Sequence, residues 1–544
     1  MIGAYDRLMR VLCVYPSFPK TYWGAELSLA LTGKQSMLPP LGLLTVAALL
    51  PPSWPVRLAD LNLRPLDPAD LEWAEVVFVS GMLIQRESLH AVARAARAHG
   101  KRVVAGGAYA STSPDALAAE VDCVVVGEAE GLVAELVAAL ESGGVLPARL
   151  ESAEYPDVRM TPTPRYELLE VSAYQSMGVQ WSRGCPFNCE FCDIIEIFGR
   201  RARTKTPAQL LAELDAIYAT GFRGSLFIVD DNFIGNKVEA RRLLGPLERW
   251  MRAHGDPFCL YTEASLNLAT DDALIDAMVA AGFSSVFIGI ETPSAEALRH
   301  TQKLQNTTVD AEEAVRKLTA RGLEVMAGFI VGFDTDDAEA VERQRVWIGR
   351  SPIPLAMVGL LIALPGTQLE RRLEREGRLI HESDGDNFMR TNFVTVLDEG
   401  KLLEGYARLL AEIYSCDGFY ARALRSLALR PVDASRFRLP TGFALGCLVR
   451  SLWQQGVRSR RRGSYWRFLA RALWRTPRRF RRAVGLAINA EHMVRFTDEE
   501  VLPRLRASIV QARTAPRAPR PRLTVRLPLL GDRAPLREAA APRD

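Results

Sequence analysis

Ser182-Arg183-Gly184-Cys185-Pro186-Phe187-Asn188-Cys189-Glu190-Phe191-Cys192-Asp193 is the stretch on which the reading of this chain turns. Three of the chain's eight cysteines fall between 185 and 192, spaced C-x3-C-x2-C. Such crowding points to one metal centre, because thiolates are the soft ligands that iron–sulfur clusters select. Three thiolates with no fourth nearby suit an iron–sulfur cube that leaves one iron open. A structural zinc site wants four closed ligands, and the next donors, His254 and Cys259, are far along the chain. A disulfide needs an oxidising compartment, and nothing else here looks secreted. An open metal position is where a substrate can coordinate.

A length of 544 residues allows two or three domains. With 48% hydrophobic and 24% charged residues, the composition is that of an ordinary globular protein. The net charge of +4 is small, but the basic excess sits near the C-terminus. Eight cysteines without a paired pattern suit a reducing compartment. The apolar run Val11–Tyr15 stops at Pro16, too short for a signal peptide. The most apolar stretch, Leu38–Trp54, is broken by Pro39, Pro40, Pro51 and Pro52, so no spanning helix is predicted. A cytoplasmic protein is expected.

Residues 1–150 alternate short apolar strands with helices. Strands are predicted at Arg10–Pro16, Val56–Asp60, Glu75–Ser80, Lys101–Gly107 and Val121–Glu128. Helices are predicted at Leu41–Leu50, at Glu87–His99, and onward to about Leu140. That rhythm predicts a parallel sheet covered on both faces, a Rossmann-like α/β domain. Such sheets bind ligands at the carboxyl ends of their strands. Gly106, Gly107, Gly127 and Glu128 lie at those ends. Ordinary turn chemistry is the alternative for each glycine. No G-x-G-x-x-G follows the first strand, which weakens a dinucleotide reading.

Residues 151–172, rich in proline, read as a linker, and 173–385 as a second α/β unit. A strand Gly178–Arg183 runs into the cysteine loop. Five more strand–helix repeats follow, with strands near 225, 258, 285, 324 and 356. Six βα units predict a partial (β/α)6 barrel. Polar residues at the ends of barrel strands bind ligands or react. Asp230, Asp231, Glu263 and Glu291 stand there. A helix cap or loop charge is the plainer reading of each, and Gly289 would let a ligand approach the backbone.

The C-x3-C-x2-C spacing, with Phe191 before the last cysteine, resembles the signature of radical S-adenosylmethionine (SAM) enzymes. Val103-Val-Ala-Gly-Gly-Ala-Tyr109 with Val121-Asp-Cys-Val-Val-Val-Gly-Glu128 looks like the cobalamin-binding domain that precedes many radical SAM barrels. Leu260–Asn267, Phe287–Pro293, Ala327–Asp334 and Met357–Leu369 resemble the cobalamin-binding subgroup that includes the hopanoid C-2 methylases. The resemblance covers about residues 8–425. It implies a [4Fe-4S] cluster on Cys185, Cys189 and Cys192, whose open iron chelates SAM. It implies SAM contacts from Asp230, Asp231, Glu263 and Glu291, and cobalamin beside Gly106, Gly107, Gly127 and Glu128. It also implies an electron donor such as flavodoxin or ferredoxin. One departure is the absence of D-x-H-x-x-G; the first domain holds only His90 and His99, so the resemblance carries no histidine ligand to cobalt over to this chain. The expected activity is methylation of an unactivated carbon through a 5′-deoxyadenosyl radical, on a small-molecule or lipid substrate such as a hopanoid. Radical cyclisation without methyl transfer, and a non-catalytic sensor, are the alternatives.

Residues 386–430 read as helices attached to the barrel. Residues 431–511 read as a basic helical region and 512–544 as a disordered tail rich in Pro, Arg and Ala. No acid occurs from 442 to 490, and twelve arginines lie between Arg450 and Arg482. Over 465–475 a helix would gather Tyr465, Trp466, Leu469, Ala470 and Leu473 on one face, with Arg467, Arg471 and Arg475 on another. That pattern suits peripheral contact with the inner membrane face, or packing against the barrel. Nucleic-acid contact is not expected, since no reading motif accompanies the arginines.

Overall fold

The computed structural model describes residues 8–152, 154–432, 435–515 and 517. Strands β1 (Val11–Tyr15), β2 (Val56–Asp60), β3 (Val76–Ser80), β4 (Arg102–Gly106), β5 (Cys123–Val126) and β6 (Arg149–Glu151) form one sheet. Their order is β2-β1-β3-β4-β5-β6, and every pair is parallel. Successive side chains of a strand point to opposite faces. Leu12 and Val14 therefore join a core with Leu89, Val92 and Ala96, while Val11 and Cys13 join another with Leu43, Ala47 and Leu136. Two-sided burial is why these strands read as unbroken apolar runs.

The second sheet contains β7 (Ser176–Val179), β10 (Gly224–Ile228), β11 (Phe258–Ala264), β12 (Phe283–Glu291), β13 (Glu324–Val331) and β14 (Ala356–Leu360). It is all parallel, in the order β14-β13-β12-β11-β10-β7. Between β7 and β10 a small antiparallel ribbon forms from β8 (Ser182–Arg183) and β9 (Arg203–Thr204). Along β10 to β13 fully buried residues alternate with half-buried ones. The buried set packs under the outer helices; the half-buried set, including Phe227, Tyr261, Glu263, Phe287 and Ile330, lines the inner wall.

An open barrel leaves edge strands that must be covered. Helix Glu399–Ile413 and the residue after it do this at β14. Tyr406 donates its hydroxyl to Val358 O at 2.8 Å and Tyr414 to Ala356 O at 2.5 Å. Arg422, fully buried, donates to Ile353 O, Ile413 O and Pro354 O. Arg482 and Arg430 pair with the buried Glu324 at the start of β13. Helix Phe480–Phe496 packs on helices Glu26–Thr32 and Cys416–Leu429.

Four expectations are corrected. The strand expected over Gly178–Arg183 breaks after Val179, because Asp230 captures the amides of Trp181 and Ser182. The linker is packed: Tyr166 is buried and its hydroxyl donates to Gly178 O at 2.9 Å. Helix Arg462–Arg475 buries Tyr465, Phe468, Leu469 and Ala472, a face turned away from the expected one; Trp466 and Leu473 stay outside. Helix Leu502–Thr514 extends into the stretch expected to be disordered. Nearly all of the rest of that tail lies outside the described residues.

Candidate active site

The cysteine loop hangs from the β8–β9 ribbon at the carboxyl end of the barrel. Asp230, just past β10, anchors its entry. One carboxylate oxygen accepts from Trp181 N at 2.7 Å and Ser182 N at 2.9 Å, and the other from the Ser182 hydroxyl at 2.6 Å. Burial pushes Asp230 up to about 6 despite these donors. Gly184, at φ +88°, makes the turn; a Cβ there would lie 2.6 Å from Arg201 O. The loop is fastened across the barrel top by Glu190 N to Thr301 O at 3.0 Å and by the Glu190 carboxylate to Arg372 at 2.6 Å.

Two side-chain amides address the sulfurs. Asn232 Nδ2 lies 3.8 Å from Cys185 Sγ, and Gln305 Nε2 lies 3.4 Å from Cys189 Sγ. Burial, and then neighbouring Asp193, raises the Cys192 thiol well above its usual range; burial also raises Cys185. A bound metal inverts that preference, since it deprotonates a coordinating thiol. Among the described residues no three ligating side chains are close enough to share one ion. A cluster of several irons, which is held by thiolates, does not require them to meet at a single ion. His254 and Cys259, the donors considered for zinc, are engaged elsewhere: His254 with Trp250 O, and Cys259 Sγ with Ser284 Oγ.

The acids at the strand ends take different positions. Glu291 adopts φ +65° beside a β-bulge, an uncommon conformation for a side-chain-bearing residue. The kink brings its carboxylate into an ion pair with Lys303. A Cβ on Gly289 would collide with both groups, so this glycine makes room for the pair. Burial works against the Lys303 ammonium, but Glu291 and then Cys189 outweigh it and raise its pKa. Burial, then Asp231, pushes Glu263 up to about 8. Burial, then Asp230, pushes Asp231 up to about 7. Asp231 Oδ2, Gln305 Oε1 and Asn306 Oδ1 are buried without a hydrogen-bond partner. Buried unpaired acceptors are costly, and this set suits a ligand carrying an amine and hydroxyl donors. Lys303, Gln305 and Asn306 escaped the sequence reading because the 3-10 turn Leu304–Asn306 and its cap Lys303 are too short to show a periodicity.

At the first sheet, Gly107 (φ +89°) packs against Ser80, where a Cβ would overlap the hydroxyl. Gly127 (φ +90°) faces open space, and Gly106 has only Val125 within 4 Å of a Cβ position. Such a bare rim fits a large flat ligand. Glu128 is engaged otherwise: it accepts from Arg183 Nη1 at 2.6 Å and pairs with Arg203. Glu130 joins with 2.7 and 3.0 Å contacts to Arg183. Glu128 and Asp230 therefore already have their carboxylates taken up by protein groups. The four-charge cluster ties the rim of the first sheet to both strands that flank the cysteine loop. His90 is held by Glu120 and Tyr109, each at 2.9 Å.

A sheet rim bare of side chains, tied by buried ion pairs to a thiolate loop at the mouth of a six-stranded open barrel, is the layout of an enzyme built around bound cofactors. The chain matches the radical SAM superfamily over 179–343, the B12 binding domain over 32–137, and a domain of unknown function over 367–502. It is 42% identical over 498 residues to an uncharacterized methyltransferase of Synechocystis, covering 90% of this chain and 92% of that one. It is 38% identical over 475 residues to the hopanoid C-2 methylase of Rhodopseudomonas palustris, covering 86% and 90%. Its fold is similar to the cobalamin-dependent radical enzyme OxsB with aqua-cobalamin bound, at TM-score 0.58 and 15% identity over 93% of this chain and 84% of that one. It is also similar to the radical SAM methyltransferase TsrM of Kitasatospora setae with cobalamin and a [4Fe-4S] cluster bound, at TM-score 0.54 and 18% identity over 70% and 80%.

The chain belongs to the cobalamin-binding radical SAM enzymes, in the methyltransferase group that contains the hopanoid C-2 methylase. Its cofactors are a [4Fe-4S] cluster, SAM and cobalamin. No helix among the described residues is long and apolar enough to cross a membrane.

Proposed function

We propose that this enzyme methylates an unactivated carbon of an apolar, lipid-like substrate of the hopanoid kind. The observation that carries the reading is the inner wall of the barrel. Phe227 and Tyr261 stack there at 4.7 Å, and Phe287 meets Trp23 edge-on at 4.9 Å. Met326, Ile330 and Met357 continue the half-buried apolar lining. Such a surface removes apolar groups from water but supplies no base strong enough for an unactivated C–H, so the cofactors must carry the reaction. Bound together, cluster, SAM and cobalamin supply a 5′-deoxyadenosyl radical to take hydrogen and a methyl group to replace it.

In this reading Cys185, Cys189 and Cys192 hold the cluster, with Asn232 and Gln305 donating to the sulfurs. Asp231 and Glu263 accept hydrogen bonds from the amine and hydroxyls of SAM, and the Glu291–Lys303 pair offers a cation to its carboxylate. Gly106, Gly107 and Gly127 leave room for the corrin. The enzyme works in the cytoplasm and receives electrons from a flavodoxin or ferredoxin. The 38% identical hopanoid C-2 methylase supports the substrate class. The test is anaerobic reconstitution with cobalamin and SAM over a lipid extract of the host, followed by mass spectrometry. A new lipid heavier by one methylene supports the reading. 5′-Deoxyadenosine without any methylated product turns it to cyclisation or rearrangement, and intact SAM under strong reductant turns it to a sensor.

A further inference from the structure

A cleft of about 640 Å³ opens between helices Cys416–Leu429 and Arg462–Arg475, built by none of the residues of the cysteine loop. Its floor is aromatic and apolar: Tyr420 stacks on Phe468 at 4.3 Å, beside Leu424. Arg425, Arg467, Arg471 and Arg475 line it, and its one acid, Asp417, lies 3.7 Å from Arg467. Arg425 spends N–H groups on Gly349 O and Ser351 O. Among the described residues Arg471 and Arg475 make no ion pair, and Arg475 lies 5.8 Å from the Trp474 ring centre.

The same helix leaves its other side bare. Trp474 is 80% exposed, Leu473 56% and Trp466 47%. The preceding helix, Thr441–Ser451, runs on into a wide-turned segment, Leu452–Arg458. Leu445, Val449, Trp453 and Val457 recur every fourth residue along it, and all are exposed. The wider i→i+5 turn keeps that spacing on one stripe. Trp466 Nε1 donates to Gly456 O at 2.9 Å, joining the two helices. Of nineteen large apolar side chains exposed among the described residues, seven lie between Leu445 and Trp474. That concentration goes beyond the single exposed residues found on any surface.

Charge decides the occupant. Residues 442–490 contain no acid. Arg461 and Arg482 find acids elsewhere in the fold, Asp498 and Glu324. Arg458, Arg460, Arg462, Arg471, Arg478 and Arg481 make no ion pair among the described residues. Exposed tryptophans beside unpaired arginines match an interfacial layer in which apolar side chains enter the acyl boundary and cations meet phosphates. A second copy of the chain would set arginine against arginine.

We propose that helices 441–475 are a docking surface for an anionic bilayer, with Trp453, Leu473 and Trp474 entering the interface and the unpaired Arg458, Arg460 and Arg462 on that same side meeting the phosphates of lipid headgroups. This goes beyond the reading above, which assigns no membrane contact, and it does not depend on methyl transfer.

The test is co-sedimentation of the full chain with vesicles of phosphatidylcholine alone or mixed with phosphatidylglycerol. The expected result is binding to the mixed vesicles at least tenfold tighter than to neutral ones, weakened by salt. A blue shift of tryptophan emission should accompany it and be reduced in Trp474→Phe. Arg462→Glu should lose binding tenfold or more, and Leu473→Asp should lose the fluorescence shift. Both sites are exposed, and an unchanged thermal transition confirms that each variant folds. The proposal is overturned if vesicles do not bind, or if neither variant changes binding. It is also overturned if Arg462→Glu affects only the binding of inorganic phosphate or a single-stranded oligonucleotide while vesicle binding persists. A wild-type enzyme that binds vesicles but yields no methylated product would refute the proposed activity and leave the docking surface standing.

Discussion

Glu128 is the residue whose removal should most clearly separate the two cofactor-bearing halves. Its side chain is 1% exposed, and it meets Arg183 and Arg203, at 11% and 15%. Glu128→Gln keeps the shape and removes the charge. Arg183 then keeps Glu130, at 2.7 and 3.0 Å. Among the described residues Arg203 keeps the carbonyls of Pro156 and Phe198, the face of the Tyr155 ring and the more distant, exposed carboxylate of Asp157. The variant therefore strands one buried guanidinium. Breaking a buried pair from one side costs about 3–5 kcal/mol, and the residual carbonyl contacts place this case near about 3 kcal/mol. Arg203→Met should cost a similar amount, and the double variant about 4 kcal/mol, giving a coupling of about 2 kcal/mol. The assay is a double-mutant cycle on chemical unfolding of the ligand-free chain, followed by tryptophan fluorescence. In the reconstituted enzyme, Glu128→Gln should cleave SAM with fewer methylated products per 5′-deoxyadenosine, because the first sheet is no longer fixed against the cysteine loop. Additive single effects, or a cost below about 1 kcal/mol, would refute the clamp.

Lys303→Met should leave iron content near normal but weaken SAM binding at least tenfold, read by the change in the cluster's paramagnetic spectrum on adding SAM. Glu263 carries a pH signature. Its folded pKa of about 8 exceeds the ordinary 4.5, so the fold holds a proton that the unfolded chain releases, and stability falls as pH rises between those values. At about 1.4 kcal/mol per unit the loss is at most about 5 kcal/mol, and water at the inner wall screens part of it. Glu263→Gln should therefore melt higher than wild type at pH 8, equal it near pH 4.5, and bind SAM more weakly; equal melting at both pH values would contradict the assignment. Asp230→Asn should shift from acceptor-only to a mismatched amide against two backbone donors. It should lower iron incorporation as well as stability, by about 2 kcal/mol, measured as iron per chain and as unfolding midpoint. Tyr406→Phe, which only uncaps an edge carbonyl of β14, should cost about 1 kcal/mol and leave activity unchanged.

The alternating strands and helices were legible because two-sided burial leaves an unbroken apolar signal, as in Val11–Val14 and Val76–Val79. The three cysteines were legible because their spacing is local. What escaped is non-local. The break after Val179 depends on Asp230, about fifty residues away in sequence. The clamp joins Glu128 and Glu130 to Arg183 and Arg203 across two domains. Lys303 reaches Glu291 only because a bulge turns that carboxylate. The helix at 462–475 was found, but its buried face was misjudged, since the choice between Phe468 and Trp466 is made by Tyr420, which no helical period reveals.

The most direct measurement of the central claim uses SAM carrying a trideuteromethyl group. The reconstituted enzyme, with cobalamin, reductant and lipid extract, should yield a lipid carrying that label together with 5′-deoxyadenosine. The Cys185→Ala/Cys189→Ala/Cys192→Ala variant should yield neither. Labelled lipid from the triple variant, or from wild type without cobalamin, would contradict the account.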